Sequence, residues 1–125
     1  MPQECLTTNQ KVMLLACSGA SNVGQLANQA AVELAREGFG KMFCLAGVGA
    51  RLSEFVRSAS EAPVLVAIDG CPVGCAKKIL EHAEVPLKSY VAVTNLGIEK
   101  NTDTKLKREE MDKVKGAVKE TLDRI

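Results

Sequence analysis

The chain has 125 residues, 46% of them hydrophobic and 25% charged, with five cysteines and no tryptophan, which is enough for one domain with its own core and excludes global disorder. Sixteen Lys+Arg against 15 Asp+Glu leave a net charge of +1, so there is no electrostatic drive toward nucleic acid or an acidic membrane surface. The odd cysteine count excludes a fully paired disulfide framework.

The opening MPQECLTTNQ has no basic n-region followed by an apolar h-region, so it does not read as a secretory signal. Residues 1–10 are taken as an N-terminal segment and 11–125 as a single α/β domain. The longest apolar runs, Val12 to Cys17 and Val64 to Ile68, are far short of the roughly 20 residues that span a bilayer. The expected compartment is a reducing cytoplasm, where cysteines bind metal or do redox chemistry more often than they form structural disulfides.

Along the chain, Val12–Ala16 reads as a buried strand. Cys17 to Asn22 is turn chemistry, and Asn22 with Gln25 resembles a capping box. A helix follows, with Val23, Leu26, Ala27, Ala30, Ala31 and Leu34 on one face and Gly38 as its stop. Lys41 to Leu45 reads as a second strand and Ala46 to Ala50 as a loop. Leu52, Phe55, Val56 and Ala59 suggest a short helix capped near Ser53. Val64 to Ile68 is the third strand, ending in Asp69-Gly70-Cys71. Pro72 suits the first position of the next helix, whose apolar stripe is Ala76, Ile79, Leu80 and Ala83. Tyr90 to Thr94 is a fourth strand. After the polar stretch Glu99 to Thr104, a last helix carries Met111, Val114, Val118, Leu122 and Ile125 on its apolar stripe. Its Lys/Glu-rich face reads as a solvated surface. Repeated βα units predict a three-layer α/β/α sandwich around a mostly parallel four-stranded sheet, Rossmann/flavodoxin-like, in the order 2-1-3-4.

The cysteines fall on this scheme in a pattern. Cys17, Cys44 and Cys71 end strands one, two and three, 27 residues apart in each case, a spacing that the length of one βα unit explains. Cys75 lies in the first turn of the helix after strand three. The carboxyl ends of parallel strands share one edge, and ligands bind there at the switch point, here between strands one and three. Adjacent strands lie about 4.8 Å apart and zinc holds each thiolate at about 2.3 Å, so converging strand ends can bring these sulfurs around one ion. Four thiolates suit zinc or an iron–sulfur cluster. The bland alternative is that a cysteine is a small hydrophobe, buried and inert. Cys5 lies outside the pattern and reads as incidental.

Other chemistries fail on spacing. Three residues separate Cys71 from Cys75, so there is no Cys-x-x-Cys. Six separate Cys44 from Arg51, which argues against a Cys-x5-Arg phosphate cradle. Gly47-Val48-Gly49 lacks the third glycine and the lysine of nucleotide loops and reads as a tight turn with close backbone approach. His82, the single histidine, lies late in a helix and reads as a surface group, so a His-based triad is excluded. Asp69 reads as a helix cap or a support for the thiolates, with a general base ranked below. Asn22, Arg51, Asp69 and Asn95 are candidates at the same edge for a small polar ligand. Lys77 and Lys78 read as solvated.

Asp69-Gly70-Cys71 with Cys75 following, the Cys17-Ser18-Gly19 loop and Cys44 after strand two together resemble the DGC-domain family, named for its Asp-Gly-Cys motif and described by four cysteines associated with zinc. The resemblance covers nearly the whole chain from Val12 to the last helix. It implies metal binding at Cys17, Cys44, Cys71 and Cys75 and supplies no reaction. The sequence expectation is a small cytoplasmic zinc-binding protein engaged in metal handling or sensing, with a metal ion and a small polar ligand as partners, and neither nucleic acid nor membrane. A closed four-thiolate site leaves no position for water and argues against zinc hydrolysis. The alternatives are a thiol-based redox or sulfur- or metalloid-handling enzyme using Cys71 and Cys75, and an iron–sulfur protein.

Overall fold

The computed structural model describes residues 11–124. Strands β1 (Val12–Ala16), β2 (Lys41–Met42), β3 (Val64–Asp69) and β4 (Ser89–Ala92) form one parallel sheet in the order β2-β1-β3-β4. The central pair runs in register from Val12↔Val64 to Ala16↔Ile68. Side chains alternate across a strand, so Val12, Leu14, Ala16, Val66 and Ile68 face one layer, while Leu15, Leu65 and Ala67 face the other. Helices α1 (Asn22–Arg36) and α5 (Arg108–Asp123) cover the first face. Helices α2 (Leu45–Gly49), α3 (Ser53–Glu61) and α4 (Cys75–His82) cover the second. This is the three-layer α/β/α sandwich expected, with the expected strand order.

Local chemistry explains most boundaries. Gly38 takes the left-handed conformation, φ 86°, just past α1, where a Cβ would be strained. The amides of Gly38 and Phe39 then close the helix end on the carbonyls of Ala35 and Leu34. At the other end the cap is Ser21 rather than Asn22. Ser21 Oγ accepts the Gly24 amide at 3.1 Å, which releases the Asn22 side chain for a different task.

Elsewhere the structure corrects the expected boundaries. The second strand stops at Met42, since β2 is an edge strand with one neighbour, and only one further ladder bond, Phe43 N–H to Leu14, follows it. Leu45 opens α2 instead, so most of the expected loop at Ala46 to Ala50 is helical, with Ala50 as the C-cap. The close approach at Gly47 is real but has another cause: a Cβ there would lie 2.3 Å from the Phe55 ring. Ser53 is the first residue of α3 and not its cap. Pro72 lies in a turn, and the next helix begins only at Cys75 after left-handed Gly74, φ 69°. The fourth strand is Ser89–Ala92, and Thr94 falls in the 3-10 turn Val93–Leu96.

The charged face of the last helix is not uniformly solvated. Lys115 is only 9% exposed, and its ammonium donates to Glu33 Oε1 at 3.0 Å and to Glu37. Arg108 forks onto both oxygens of Glu33 at 2.8 and 2.9 Å. Among the described residues no helix is long and apolar enough to cross a membrane.

Candidate thiol site

The β1, β3 and α1 termini meet backbone to backbone at the carboxyl edge of the sheet. A Cβ on Gly24 would lie 2.7 Å from the Gly19 nitrogen, and one on Gly70 would lie 2.7 Å from the Gly24 nitrogen. Glycine at these positions lets the Cys17–Gly19 loop, the first turn of α1 and the Asp69–Cys71 turn stack closely. The Cys17 amide donates to Ile68 O at 2.9 Å, which extends the β1–β3 ladder by one residue and fixes the Cys17 backbone.

Cys17 is half-buried. Burial pushes its thiol above the ordinary cysteine range, and amide donors at Gly19 and Gly70 pull the other way without cancelling the rise. The negative charges of Asp69 and of a Cys75 thiolate add to the upward shift, so these three groups lie within electrostatic reach of one another. Cys17 is therefore a protonated thiol at neutral pH until a ligand displaces its proton.

Asp69 is 1% exposed and fully engaged. Its Oδ1 accepts the Ala76 amide at 2.7 Å, and its Oδ2 accepts the Lys77 amide at 3.0 Å and the Tyr90 hydroxyl at 2.8 Å. The N-cap of α4 is Gly74, which has no side chain, so Asp69 caps this helix from the end of β3. Burial first, and then the bond to Asp69, hold the Tyr90 phenol well above its ordinary range. The Lys77 ammonium stands 5.3 Å from the centre of the Tyr90 ring. This frame fixes the turn from which Cys71 and Cys75 project.

Cys71 receives the Lys100 ammonium at 3.5 Å from its sulfur. Lys100 comes from the connection between the 3-10 turn and α5, and Asn22 clamps that strap. Asn22 Nδ2 donates to Glu99 O at 2.8 Å, the Asn101 amide donates to Asn22 Oδ1 at 2.6 Å, and the Asn22 amide donates to Asn101 O at 3.0 Å. Cys75 is exposed as the first residue of α4, and Cys44 is exposed at the N-cap position of α2. All four described cysteines are free thiols, and Cys5 lies outside the described residues.

Of the four proposed ligands, Cys17 follows β1 directly, Cys71 lies two residues past β3 and Cys75 opens α4, whereas Cys44, expected at the end of the second strand, stands at the start of α2. In kind, an all-thiol donor set fits a soft metal ion. In position, no group of three or more His, Cys, Asp or Glu among the described residues is close enough to hold one.

The candidates for a small polar ligand separate. Asn22 is occupied by the strap and Asp69 by its three donors. Arg51 does not belong to this edge. It lies beyond α2 and donates to the His82 carbonyl at 2.7 Å, at the far end of the eight-residue α4, roughly 12 Å from its start. Asn95 lines an open hollow of about 350 Å³ beside Pro72, Val73 and Gly74. Two members of the site escaped the sequence reading. Tyr90 looked like strand filler, and its period-two position was the available signal. Lys100 sat in a polar stretch with no local signal at all.

Comparison with known proteins places the chain among relatives. The sequence model of the DGC domain matches residues 13–118. The chain is 40% identical over 88 residues to the anaerobic and virulence modulator AnvM of Pseudomonas aeruginosa, covering 70% of this chain and 67% of that protein. No solved structure matches it significantly.

Proposed function

The chain belongs to the DGC domain family, and on that premise we propose that it is a small thiol-based regulator whose edge cysteines take up a thiophilic metal ion, zinc being the ion their chemistry favours. The observation that supports this reading is the position of three thiols on the carboxyl edge of the sheet, Cys17 directly after β1, Cys71 on the turn after β3 and Cys75 at the start of α4. Cys44, at the start of α2, completes a four-thiolate set. The regulatory part draws on the relative, whose name describes a modulator.

Cys17 is the fixed member, held by Ile68 and the glycine contacts. Cys44 and Cys75 are exposed. The chain buries a core on each face of its sheet and does not need an ion to fold. This reading assumes a reducing compartment, the cytoplasm, in which thiols persist.

The test is an anaerobic zinc titration against a chromophoric chelator, with thiols counted in parallel. The expected outcome is one zinc per chain with four protected thiols. Alanine at Cys17, Cys44, Cys71 or Cys75 weakens binding, and alanine at Cys5 does not. Equal weakening by Cys5→Ala overturns the ligand set. A second reading, thiol redox chemistry at Cys71 and Cys75, is favoured by the ammonium at Cys71 and by the exposed thiol four residues on. Metal-free protein with a reversible Cys71–Cys75 disulfide selects it. Brown protein carrying iron and sulfide selects the iron–sulfur alternative.

A further inference from the structure

The Lys100 ammonium is set against a thiol rather than a carboxylate. Among the described residues it forms no ion pair with a carboxylate, and its recorded partner is the Cys71 sulfur at 3.5 Å. The backbone that carries it is anchored. Glu99 and Asn101, the residues on either side, are both bonded to Asn22 at the buried start of α1. Cys71 in turn follows Asp69 and Gly70, the most constrained stretch of the edge. An amine and a thiol, 29 residues apart in sequence, thus project from two anchored backbones and meet at 3.5 Å. Cys71 is partly exposed, so a small oxidant reaches the sulfur.

We propose that Cys71 and Lys100 form an oxidant-driven modification site, in which an oxygen atom bridges Cys71 Sγ and Lys100 Nζ. The co-reactant is a peroxide. One hydrogen peroxide converts the thiol to a sulfenic acid and leaves as water. The Lys100 ammonium gives its proton to solvent, and a second peroxide carries the nitrogen to the hydroxylamine level. Across both steps the S–H bond and one N–H bond break, and S–O and N–O bonds form. Two O–O bonds are reduced and three waters are released, so atoms and electrons balance. The product ties the strap to the Asp69–Cys71 turn and withdraws Cys71 from the thiol set. A reductant restores the free thiol and amine. This goes beyond the metal reading and does not depend on it, because Lys100 is not among the proposed ligands.

The experiment uses the full chain, reduced, treated with chelator and then exposed to hydrogen peroxide. The products are digested without reductant and mapped by mass spectrometry. The expected product joins the Cys71 and Lys100 peptides, heavier by one oxygen and lighter by two hydrogens than their sum. Dithiothreitol reverses it. It is absent in Lys100→Arg, which keeps the charge, and absent after reductive methylation of the lysines, which needs no substitution. A Cys71–Cys75 or Cys71–Cys17 disulfide as the sole product overturns the proposal. So does a Cys71 sulfinic acid with no cross-link, or the bridged mass persisting in Lys100→Arg. Zinc binding by Lys100→Arg is measured separately, so that failure of the cross-link and failure of the metal reading are told apart.

Discussion

Asp69 uses both carboxylate oxygens on groups from two other elements, the α4 amides and the Tyr90 hydroxyl. Removing one donor and removing the charge should therefore differ. Tyr90→Phe leaves both amides capped and should cost about 1 kcal/mol in urea unfolding. Asp69→Asn keeps the shape but puts an NH₂ donor against one set of donors, and should cost more, about 1–3 kcal/mol. Equal losses would show that the charge does not matter at this cap. Glycines at the edge are equally unequal. A Cβ on Gly70 meets backbone at 2.7 Å and something must shift, whereas one on Gly19 meets only Cys17 Sγ at 3.6 Å. Gly70→Ala should lower the melting temperature clearly more than Gly19→Ala. The importance of Asp69-Gly70-Cys71 was legible as a motif. The reason for its glycine, contact with Val23 and Gly24 some 46 residues earlier, was not, because sequence spacing says nothing about which backbones touch.

At the scale of elements, the strap that carries Lys100 depends on α1. Asn22→Ala removes the side-chain bonds to Glu99 and Asn101 and leaves two backbone groups without their partners. It should cost about 1–3 kcal/mol and raise amide hydrogen exchange at Asn101 while leaving the central β1–β3 amides protected. Unchanged exchange at Asn101 would mean that the strap is held by something else. The helices themselves were readable from their apolar spacing, since α1, α4 and α5 bury most of the stripes expected of them, Ile125 lying outside the described residues. Their starts were not. Ser21 and Leu52 became the caps where Asn22 and Ser53 were expected, and α4 begins at Cys75 after Gly74 rather than at Pro72. In α4 the cap comes from a strand, and tertiary contact overrides the local rule.

Across the whole molecule, α1 and α5 are joined by the ion cluster of Glu33, Glu37, Arg108 and Lys115. The Arg108 fork, followed by Lys115, holds the Glu33 carboxyl at about 2 against an ordinary 4.5. A carboxyl held down in the folded state stabilises it above its unfolded value. That stabilisation is complete above pH 4.5 and is lost as pH falls toward 2. Urea midpoints measured through this window should fall in the parent chain and fall less in Glu33→Gln. Salt should shrink the difference, because Arg108 is 64% exposed. Sequence alone determined the α/β class, the parallel sheet and its strand order. Those follow from periodicity and chain connectivity, which act locally or through few topological choices. Only the tertiary structure decided that Arg51 leaves the edge, that Asn22 and Asp69 are already occupied, that Lys115 is buried between helices, and that Lys100 meets Cys71. Each of these rests on a contact between residues distant in sequence, whose geometry no local pattern encodes.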